Sequence, residues 1–290
     1  MELRVLQYFL MVAREENITR AAELVHISQP SLSRQLMQLE QELGVKLFQR
    51  SNHSIRLTDE GMLLKRRAQE LVALADKTVK DFAQQDDTIS GEISIGCGEA
   101  RSMKTLAALL AEFREQNPLV SYNIFSGNAD DIKDRLDKGL LDLGLLMEPV
   151  DIGKYSFLSL PDKETWGVLV RSDSPLAAKE AVTPQELADV PLLMSVRPLV
   201  RNTIANWFGE YYEGLDIVST FNLLYNAAIM AQSGLGAVFC LKLDSEYADL
   251  RFIPLAPKLE TGSVVVWKKN QILPPATDAL LRLMRNAIIK

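Results

Sequence analysis

The stretch from Met62 to Ser90 contains neither glycine nor proline and divides the 290-residue chain into two parts of different character. Small or apolar residues recur along it at heptad spacing, at Leu64, Ala68, Leu71, Ala75, Thr78 and Phe82. This spacing is typical of a helix that pairs with another helix. We therefore expect a linker helix over 59–90 with a dimer interface at Leu64, Ala68, Leu71, Ala75 and Phe82. The alternative is a helix that packs on its own domain.

The part before this stretch has the pattern of short helices. Its third helix is predicted from about Gln29 to Leu43, because leucines at 32, 36, 39 and 43 form one apolar stripe. Ser28 is a suitable N-cap residue, and Gly44 suits the position just past the C-terminus. The segment KLFQRSNHSIRLT then has two apolar pairs around a polar turn, which predicts a short two-stranded hairpin.

The third helix carries an unusual set of residues opposite its leucines. Gln29, Pro30, Ser33 and Arg34 lie on this face, so it is polar but nearly uncharged. Gln can pair with adenine, Arg with guanine or phosphate, and Ser with either. The hairpin adds Arg50, His53 and Arg56, which are placed to contact flanking phosphates. The pattern favours DNA binding, and the alternative is a helical interaction domain with a solvated face.

Charge and composition restrict the class of protein further. Residues 1–67 hold 10 Lys and Arg against 8 Asp and Glu, whereas the remainder holds 22 against 30. A slightly basic head on an acidic body permits a nucleic-acid-binding head. Only two cysteines are present, which fits a reducing cytosol and a cytoplasmic location. No apolar run approaches the roughly 20 residues of a membrane span, and we expect neither a signal peptide nor a membrane partner.

From Gly91 onward, predicted strands alternate with predicted helices. A first set contains EISIGCG, VSYNIFSG and DLGLLM, and a second contains WGVLVR, PLLMS, IVSTF and GAVFC. Strand–helix alternation implies parallel sheets, and two such sets indicate two α/β lobes. The strand VVVWKK and a helix after Pro275 would complete them.

The residues of the head closely resemble one family. NITRAAELVHISQPSLSRQLMQLEQELGVKLFQR, followed by LTDEG, is similar to the N-terminal domain of LysR-type transcriptional regulators. The matching elements include Ala21-Ala22, Leu39-Glu40, Leu43-Gly44 and Leu47-Phe48. Beyond residue 62 the resemblance is one of architecture: a linker helix and a two-lobed domain. One departure is Pro30-Ser31, where many members have Ala or Ser-Ala.

The resemblance implies a mixed fold with an N-terminal all-α winged helix-turn-helix, a linker helix and a two-lobed α/β effector domain resembling type 2 periplasmic binding proteins. The implied domains are 1–58, 59–90 and 91–290, with lobe 1 at about 91–160 and 266–290 and lobe 2 at about 161–265. It also implies promoter DNA, a small-molecule effector, a homodimer or homotetramer and RNA polymerase as partners. Carried over by position, the DNA-contacting set is Ser28, Gln29, Pro30, Ser31, Ser33, Arg34, Arg50, His53 and Arg56.

In two-lobed α/β domains, ligands bind where strands end and helices begin. The loops at these positions supply the candidate effector-binding residues Gly98, Glu99, Ala100, Ser102, Ser126, Gly127, Asn128, Met147, Ser195, Arg197, Asn222 and Tyr225. Helix N-termini favour anions, so a small organic acid is the expected effector. Glu99 adds negative charge, which leaves a zwitterionic or cationic effector open. Ser and Asn at these positions are also ordinary helix caps.

Two other functions were weighed on the same residues. Cys97 precedes a predicted helix, where a thiol pKa is lowered, so a thiol-based redox switch is an alternative to ligand sensing. A solute-binding module without a DNA function is another. Only two histidines occur, and there is no HExxH, GxSxG, P-loop or GxGxxG motif, so we expect no enzyme, no metal and no cofactor.

Overall fold

The computed structural model describes residues 1–50, 55–82 and 89–288, apart from the side chains of residues 50 and 80–82. It contains two compact units, Met1–Ala83 and Gln84–Lys290. The predicted positions at His53 and in the turn 51–54 lie outside the described residues, as do the side chains of Arg50 and Phe82.

The first unit is a winged helix-turn-helix followed by a long helix, as the sequence predicted. Its elements in chain order are α1 (Leu3–Glu15), α2 (Ile18–Leu24), α3 (Gln29–Leu43), β1 (Phe48–Arg50), β2 (Ile55–Leu57) and α4 (Asp59–Phe82). Strands β1 and β2 pair antiparallel, with Phe48 opposite Leu57. The tight connection between α2 and α3 depends on His26, whose φ of 57° lies in the left-handed region.

One hydrophobic core holds the first unit together. It combines Phe9 and Val12 of α1 with the α2 pair Ala21-Ala22 and the leucine stripe of α3. The small side chains of the Ala pair let α2 approach its neighbours closely. The leucine stripe is the apolar side of α3, and it is the side that packs into this core. The core therefore fixes α3 with its opposite face outward.

In its described residues, the second unit contains six further α-helices, two 3₁₀ turns, and strands in each of two lobes. The helices are α5 (Met103–Gln116), α6 (Ala129–Asp137), α7 (Pro184–Leu187), α8 (Pro198–Phe208), α9 (Leu224–Gln232) and α10 (Pro275–Ile288), with 3₁₀ turns at Pro175–Ala178 and Gly209–Gly214. The strands are β3 (Gly91–Cys97), β4 (Val120–Ser126), β5 (Leu143–Met147), β6 (Tyr155–Ser159), β7 (Glu164–Arg171), β8 (Leu192–Ser195), β9 (Ile217–Phe221), β10 (Ala237–Leu241), β11 (Leu250–Pro254), β12 (Glu260–Thr261) and β13 (Ser263–Lys268).

Lobe 1 is built on a five-stranded sheet in the order β4-β3-β5-β13-β6. Strands β3, β4 and β5 are parallel, and β13 runs antiparallel to both of its neighbours. Helices α5 and α10 pack on the core that contains Ile95 and Leu145, whereas α6 packs on the core that contains Leu146 and Val264. The helices of this lobe therefore pack on the sheet in two separate hydrophobic cores.

Lobe 2 is built on the strand order β11-β7-β10-β8-β9, with β12 also paired to β7. Strands β10, β8 and β9 are parallel, and β7 is antiparallel to β10 and β11. Phe208 and Phe239 lie in one core of this lobe, with ring centroids 5.6 Å apart. The α9 residues Ala227 and Ala228 lie in its second core.

Two details of the predicted second unit were wrong. The sheets are mixed rather than parallel, because β7 and β13, the strands by which the chain enters lobe 2 and returns to lobe 1, run antiparallel to their neighbours. The return to lobe 1 was placed at about 266, but β13 begins at Ser263, and Val264 already pairs with β5 and β6. Within the described residues, no helix is both long enough and apolar enough to cross a membrane.

Candidate functional sites

Helix α3 has one face in the core and one in solvent. Its first turn is capped by Ser28, whose Oγ accepts a hydrogen bond from the backbone N–H of Ser31 at 3.3 Å. The side chains of Leu32, Leu36 and Leu39 are buried. Because the cap and the leucines fix both the start and the rotation of the helix, the residues between them have a defined exposure.

The predicted polar residues lie on the outward side of α3. Ser28, Gln29, Pro30 and Arg34 are exposed, and Ser31 and Ser33 are half-buried. The Gln29 side chain donates from Nε2 to the Ser33 Oγ, one turn later, at 3.0 Å. The face thus combines an oriented amide, hydroxyl groups and one cation, which are the groups that read base edges and phosphates.

A buried carboxylate attaches the hairpin to α3. Glu40 accepts hydrogen bonds from the backbone N–H groups of Leu47 (2.9 Å) and Phe48 (3.3 Å) and from Lys46 Nζ (3.1 Å). Burial raises the pKa of Glu40, but these hydrogen bonds and the Lys46 charge outweigh burial and hold the pKa below its ordinary value. The carboxylate is thus an ionised anchor. It fixes the start of β1 relative to α3. In the paired strand β2, the side chain of the predicted DNA-contacting residue Arg56 is exposed.

The first half of the predicted dimer stripe on α4 belongs to the core of the first unit. Ala68 is 0% exposed, and Leu64 is half-buried against the same core. Ala68 is therefore not a surface residue, and its interpretation as an interface residue needs correction, whereas Leu64 packs on this core and stays partly exposed. The heptad spacing arises here because α4 packs on α1 and the rest of the unit, as in the alternative reading.

The second half of the stripe is open to solvent. Leu71 is 43% exposed, Ala75 is half-buried, and the neighbouring Leu74 and Val79 are also exposed. The side chain of Phe82 lies outside the described residues. Exposed apolar residues that continue a helical stripe are typical of an interface with another chain.

A cavity lies between the two lobes of the second unit. About 90 Å³ of it can be reached by the centres of water molecules. The predicted residues that line it are Gly98, Glu99, Gly127, Asn128, Met147, Ser195, Arg197 and Asn222. They come from the ends of strands in both lobes, as expected for this architecture.

Four predicted effector-binding residues do not line this cavity. Ala100, Ser126 and Tyr225 line a separate, more open depression, which also includes part of the Glu99 loop. Ser102 is fully buried, and its backbone N–H donates to Glu164 Oε1 at 2.8 Å. The N–H group expected to bind an effector therefore already has an internal acceptor.

Several cavity-lining residues were not predicted. They are Ala129, Glu148, Trp166, Val200, Phe221, Leu223, Leu224, Phe239, Cys240 and Leu241. Phe221 and Glu148 each adjoin a predicted residue, so the strand-end rule could have found them. Trp166 and Phe239 lie inside strands. They line the cavity because of the way the two sheets are arranged, which the sequence does not give.

Asn128 has an established structural role. Its Oδ1 accepts hydrogen bonds from the N–H groups of Asp130 (2.8 Å) and Asp131 (3.1 Å), and with Asp131 it forms a capping box at the start of α6. The capping interpretation of this residue is therefore correct for its oxygen. Only its amide N–H groups remain to act as donors towards the cavity.

Arg197 is the cation of the cavity. Its side chain is 7% exposed, and its Nη2 donates to the backbone carbonyl of Pro149 at 3.0 Å. Its Nε is buried without a hydrogen-bond partner, and among the described residues no carboxylate lies within 4.0 Å of the guanidinium. Burial lowers the pKa of Arg197, and the charge of Asp130 opposes that shift. A buried guanidinium with so little compensation favours an anionic ligand.

Direct bonds connect the two lobes around this cavity. The Glu99 carboxylate, from lobe 1, accepts a hydrogen bond from the backbone N–H of Leu224 at the start of α9 in lobe 2. Arg101 Nε forms a salt bridge to Asp244 at 2.9 Å, and the Arg197 bond to Pro149 is a third link. The observed arrangement therefore holds both lobes together on more than one side of the cavity.

Neither cysteine has the surroundings of a reactive thiol. Cys97 is buried in the lobe 1 core, and burial raises its pKa instead of lowering it. Burial raises the pKa of Cys240 to about 12. Since the thiolate is the reactive form, the proposed thiol switch at Cys97 is not favoured.

The two units define a DNA-binding head joined to a two-lobed ligand-binding domain, and comparison with known proteins agrees. Residues 3–62 match the bacterial regulatory helix-turn-helix protein, lysR family, and residues 86–288 match the LysR substrate binding domain. The HTH-type transcriptional activator IlvY of Salmonella typhimurium is 30% identical over 212 residues, 73% of this chain and 72% of the relative. The Hca operon transcriptional activator HcaR of Escherichia coli K12 is 28% identical over 288 residues, 96% of this chain and 95% of the relative.

The solved structures show the same fold. The crystal structure of CbnR, a LysR family transcriptional regulator, aligns with a TM-score of 0.77 at 20% identity and covers 99% of each chain. The chain belongs to the LysR family. It is a DNA-binding transcriptional regulator with an effector-binding domain.

Proposed function

We propose that this regulator binds promoter DNA through the exposed face of α3 and that a small organic acid in the interlobe cavity controls this binding. The observation that carries the effector half is Arg197, a buried guanidinium without a carboxylate partner among the described residues. A ligand carboxylate would supply the missing charge and replace part of the hydration that burial removed. The protein acts in the cytoplasm and by binding rather than by catalysis.

Oligomerisation and RNA polymerase contact complete the proposal. One head reads few base pairs, so specificity requires two heads, and the exposed apolar residues Leu71, Leu74 and Val79 on α4 support pairing into a dimer or tetramer. Both reported relatives are named transcriptional activators. Because an activator of transcription acts on RNA polymerase, these names support RNA polymerase as a further partner.

The test begins with full-length protein and a library of random duplex DNA. Repeated selection should enrich one sequence with two related half-sites, and binding to it should weaken steeply with salt. A panel of small carboxylates is then added, and the affinity for the selected duplex should change with at least one of them. If no sequence is enriched, the DNA half of the proposal is wrong.

A further inference from the structure

The interlobe cavity contains two positions that can bind an anion, and one of them is already filled. The first backbone N–H of α9, at Leu224, is a donor at a helix N-terminus, which attracts anions. Glu99 reaches across from lobe 1 and accepts its hydrogen bond. A carboxylate of the protein itself therefore occupies this position.

The second position is Arg197, and it has no such partner. Its guanidinium is nine-tenths buried, lines the cavity and bonds only to the Pro149 carbonyl, while its Nε has no acceptor. Trp166, which also lines the cavity, has an indole N–H that is buried and unpaired. Buried donors normally have acceptors, so both point to a ligand with oxygen atoms.

The remaining walls are largely apolar. They include Val200, Phe221, Phe239 and Leu241. About 90 Å³ of this space admits the centres of water molecules, and a water in the liquid takes up about 30 Å³, so a few waters fit. A small ligand with a compact apolar body therefore suits it.

The charges decide how many carboxylates the ligand can carry. Glu99 and Glu148 both line the cavity, and Arg197 is the one cation among its lining residues. A second carboxylate on the ligand would meet negative charge without a new cation, and like charges brought together oppose binding. We propose that the effector is a monocarboxylate with a compact apolar body, which Arg197 binds and for which Glu99 selects by excluding dicarboxylates. This inference rests on the proposed effector site.

The test uses full-length protein and calorimetric titration with matched pairs of ligands. Hexanoate is compared with adipate, and benzoate with phthalate. Wild type should bind at least one of these monocarboxylates, with an affinity about tenfold or more above that for its dicarboxylate. Arg197→Gln should lose about tenfold or more of this affinity. Glu99→Gln keeps an acceptor for Leu224 and should reduce the preference over the dicarboxylate to about threefold or less.

Two matched variants serve as controls. Arg201 and Glu112 are exposed and do not line the cavity, so Arg201→Gln and Glu112→Gln should titrate like wild type. The melting temperature of each variant identifies one that fails to fold. Retained selectivity in a folded Glu99→Gln protein would overturn the role of Glu99.

Other results would overturn the ligand class itself. These are equal or tighter binding of a dicarboxylate, undiminished binding by Arg197→Gln, or no binding of any carboxylate. If the protein still binds the selected DNA in these cases, its proposed function as a DNA-binding regulator is retained and only the proposed effector class is wrong. If DNA selection fails as well, the proposed function fails.

Discussion

The Glu40 carboxylate accepts a hydrogen bond from the backbone N–H of Leu47 at 2.9 Å, and this bond links α3 to the residue that precedes β1, the first strand of the wing. The same carboxylate accepts from Phe48 and pairs with Lys46. The carboxylate therefore supplies an acceptor for two buried backbone N–H groups at the start of the wing, those of Leu47 and Phe48. The position of the wing relative to α3 therefore depends on one buried side chain.

Glu40→Gln should loosen the start of the wing. The amide has one acceptor oxygen and no charge, so it cannot replace all three interactions, and we expect a loss of about 1–3 kcal/mol in local stability. Hydrogen exchange of the Leu47 and Phe48 amides measures this directly, and their protection should fall by about fivefold or more. The matched control is Glu23→Gln at an exposed position.

The effect of Glu40 should also depend on pH. Its pKa in the folded protein is below the ordinary value of 4.5, so its contribution is complete above the unfolded pKa and is lost as pH falls through the folded pKa. The difference in protection between wild type and Glu40→Gln should shrink below about pH 4.5. A difference that stays constant down to acid pH would contradict the ionised anchor.

Gln29→Ala and Arg34→Ala should each weaken binding to the selected duplex by about 1–3 kcal/mol, with folding intact. Both side chains are exposed, so their loss removes contacts to DNA and not core packing. Fluorescence anisotropy with the selected and a scrambled duplex separates base recognition from phosphate attraction. Gln41→Ala, near the other end of the same helix, should bind like wild type. Unchanged affinity in both test variants would refute the assignment of α3.

Leu71→Asp should dissociate the oligomer, because it places a charge within the exposed apolar part of α4. Sedimentation velocity measures the change in mass. Gln69→Asp adds the same charge at an exposed polar position of the same helix and should leave the oligomer intact. An intact dimer in Leu71→Asp would exclude this face as the interface.

The sequence predicted the head well because its signals are local. A leucine stripe, a capping serine and a glycine at the end determine α3 from neighbouring residues alone, and the hairpin follows from a polar turn between apolar pairs. Ala68 shows the limit of this reasoning. A heptad stripe has the same spacing whether it faces its own core or another chain, so the pattern could not reveal which half of α4 is buried.

The interlobe cavity was less predictable because it forms between distant segments. Strand ends identify loops, which is why Asn128 and Arg197 were found. They do not give the direction of each group: the Ser102 N–H donates to Glu164, and Ser102 does not line the cavity. Trp166 and Phe239 reach the cavity from inside strands of lobe 2, a placement that requires knowledge of how the two sheets face each other.

The cysteines should be inert in the folded protein. Burial raises the pKa of both thiols, to about 12 for Cys240, so little thiolate exists at pH 8. Iodoacetamide followed by mass spectrometry should show slow labelling of the native protein and fast labelling in urea. Cys97→Ser should bind the selected duplex equally well with and without reductant. Rapid native labelling of Cys97 would restore the thiol-switch interpretation.

Variants of Asn128 separate its capping role from a ligand contact. Asn128→Ser keeps an oxygen that can cap α6, whereas Asn128→Ala removes it and should cost about 1 kcal/mol, measured as a lower melting temperature of the full-length protein. Both changes remove the amide N–H donors of this cavity-lining residue. If the amide contacts the effector, both variants should lose affinity for the bound carboxylate equally, although only one is destabilised. If the residue is a cap alone, Asn128→Ser should titrate like wild type.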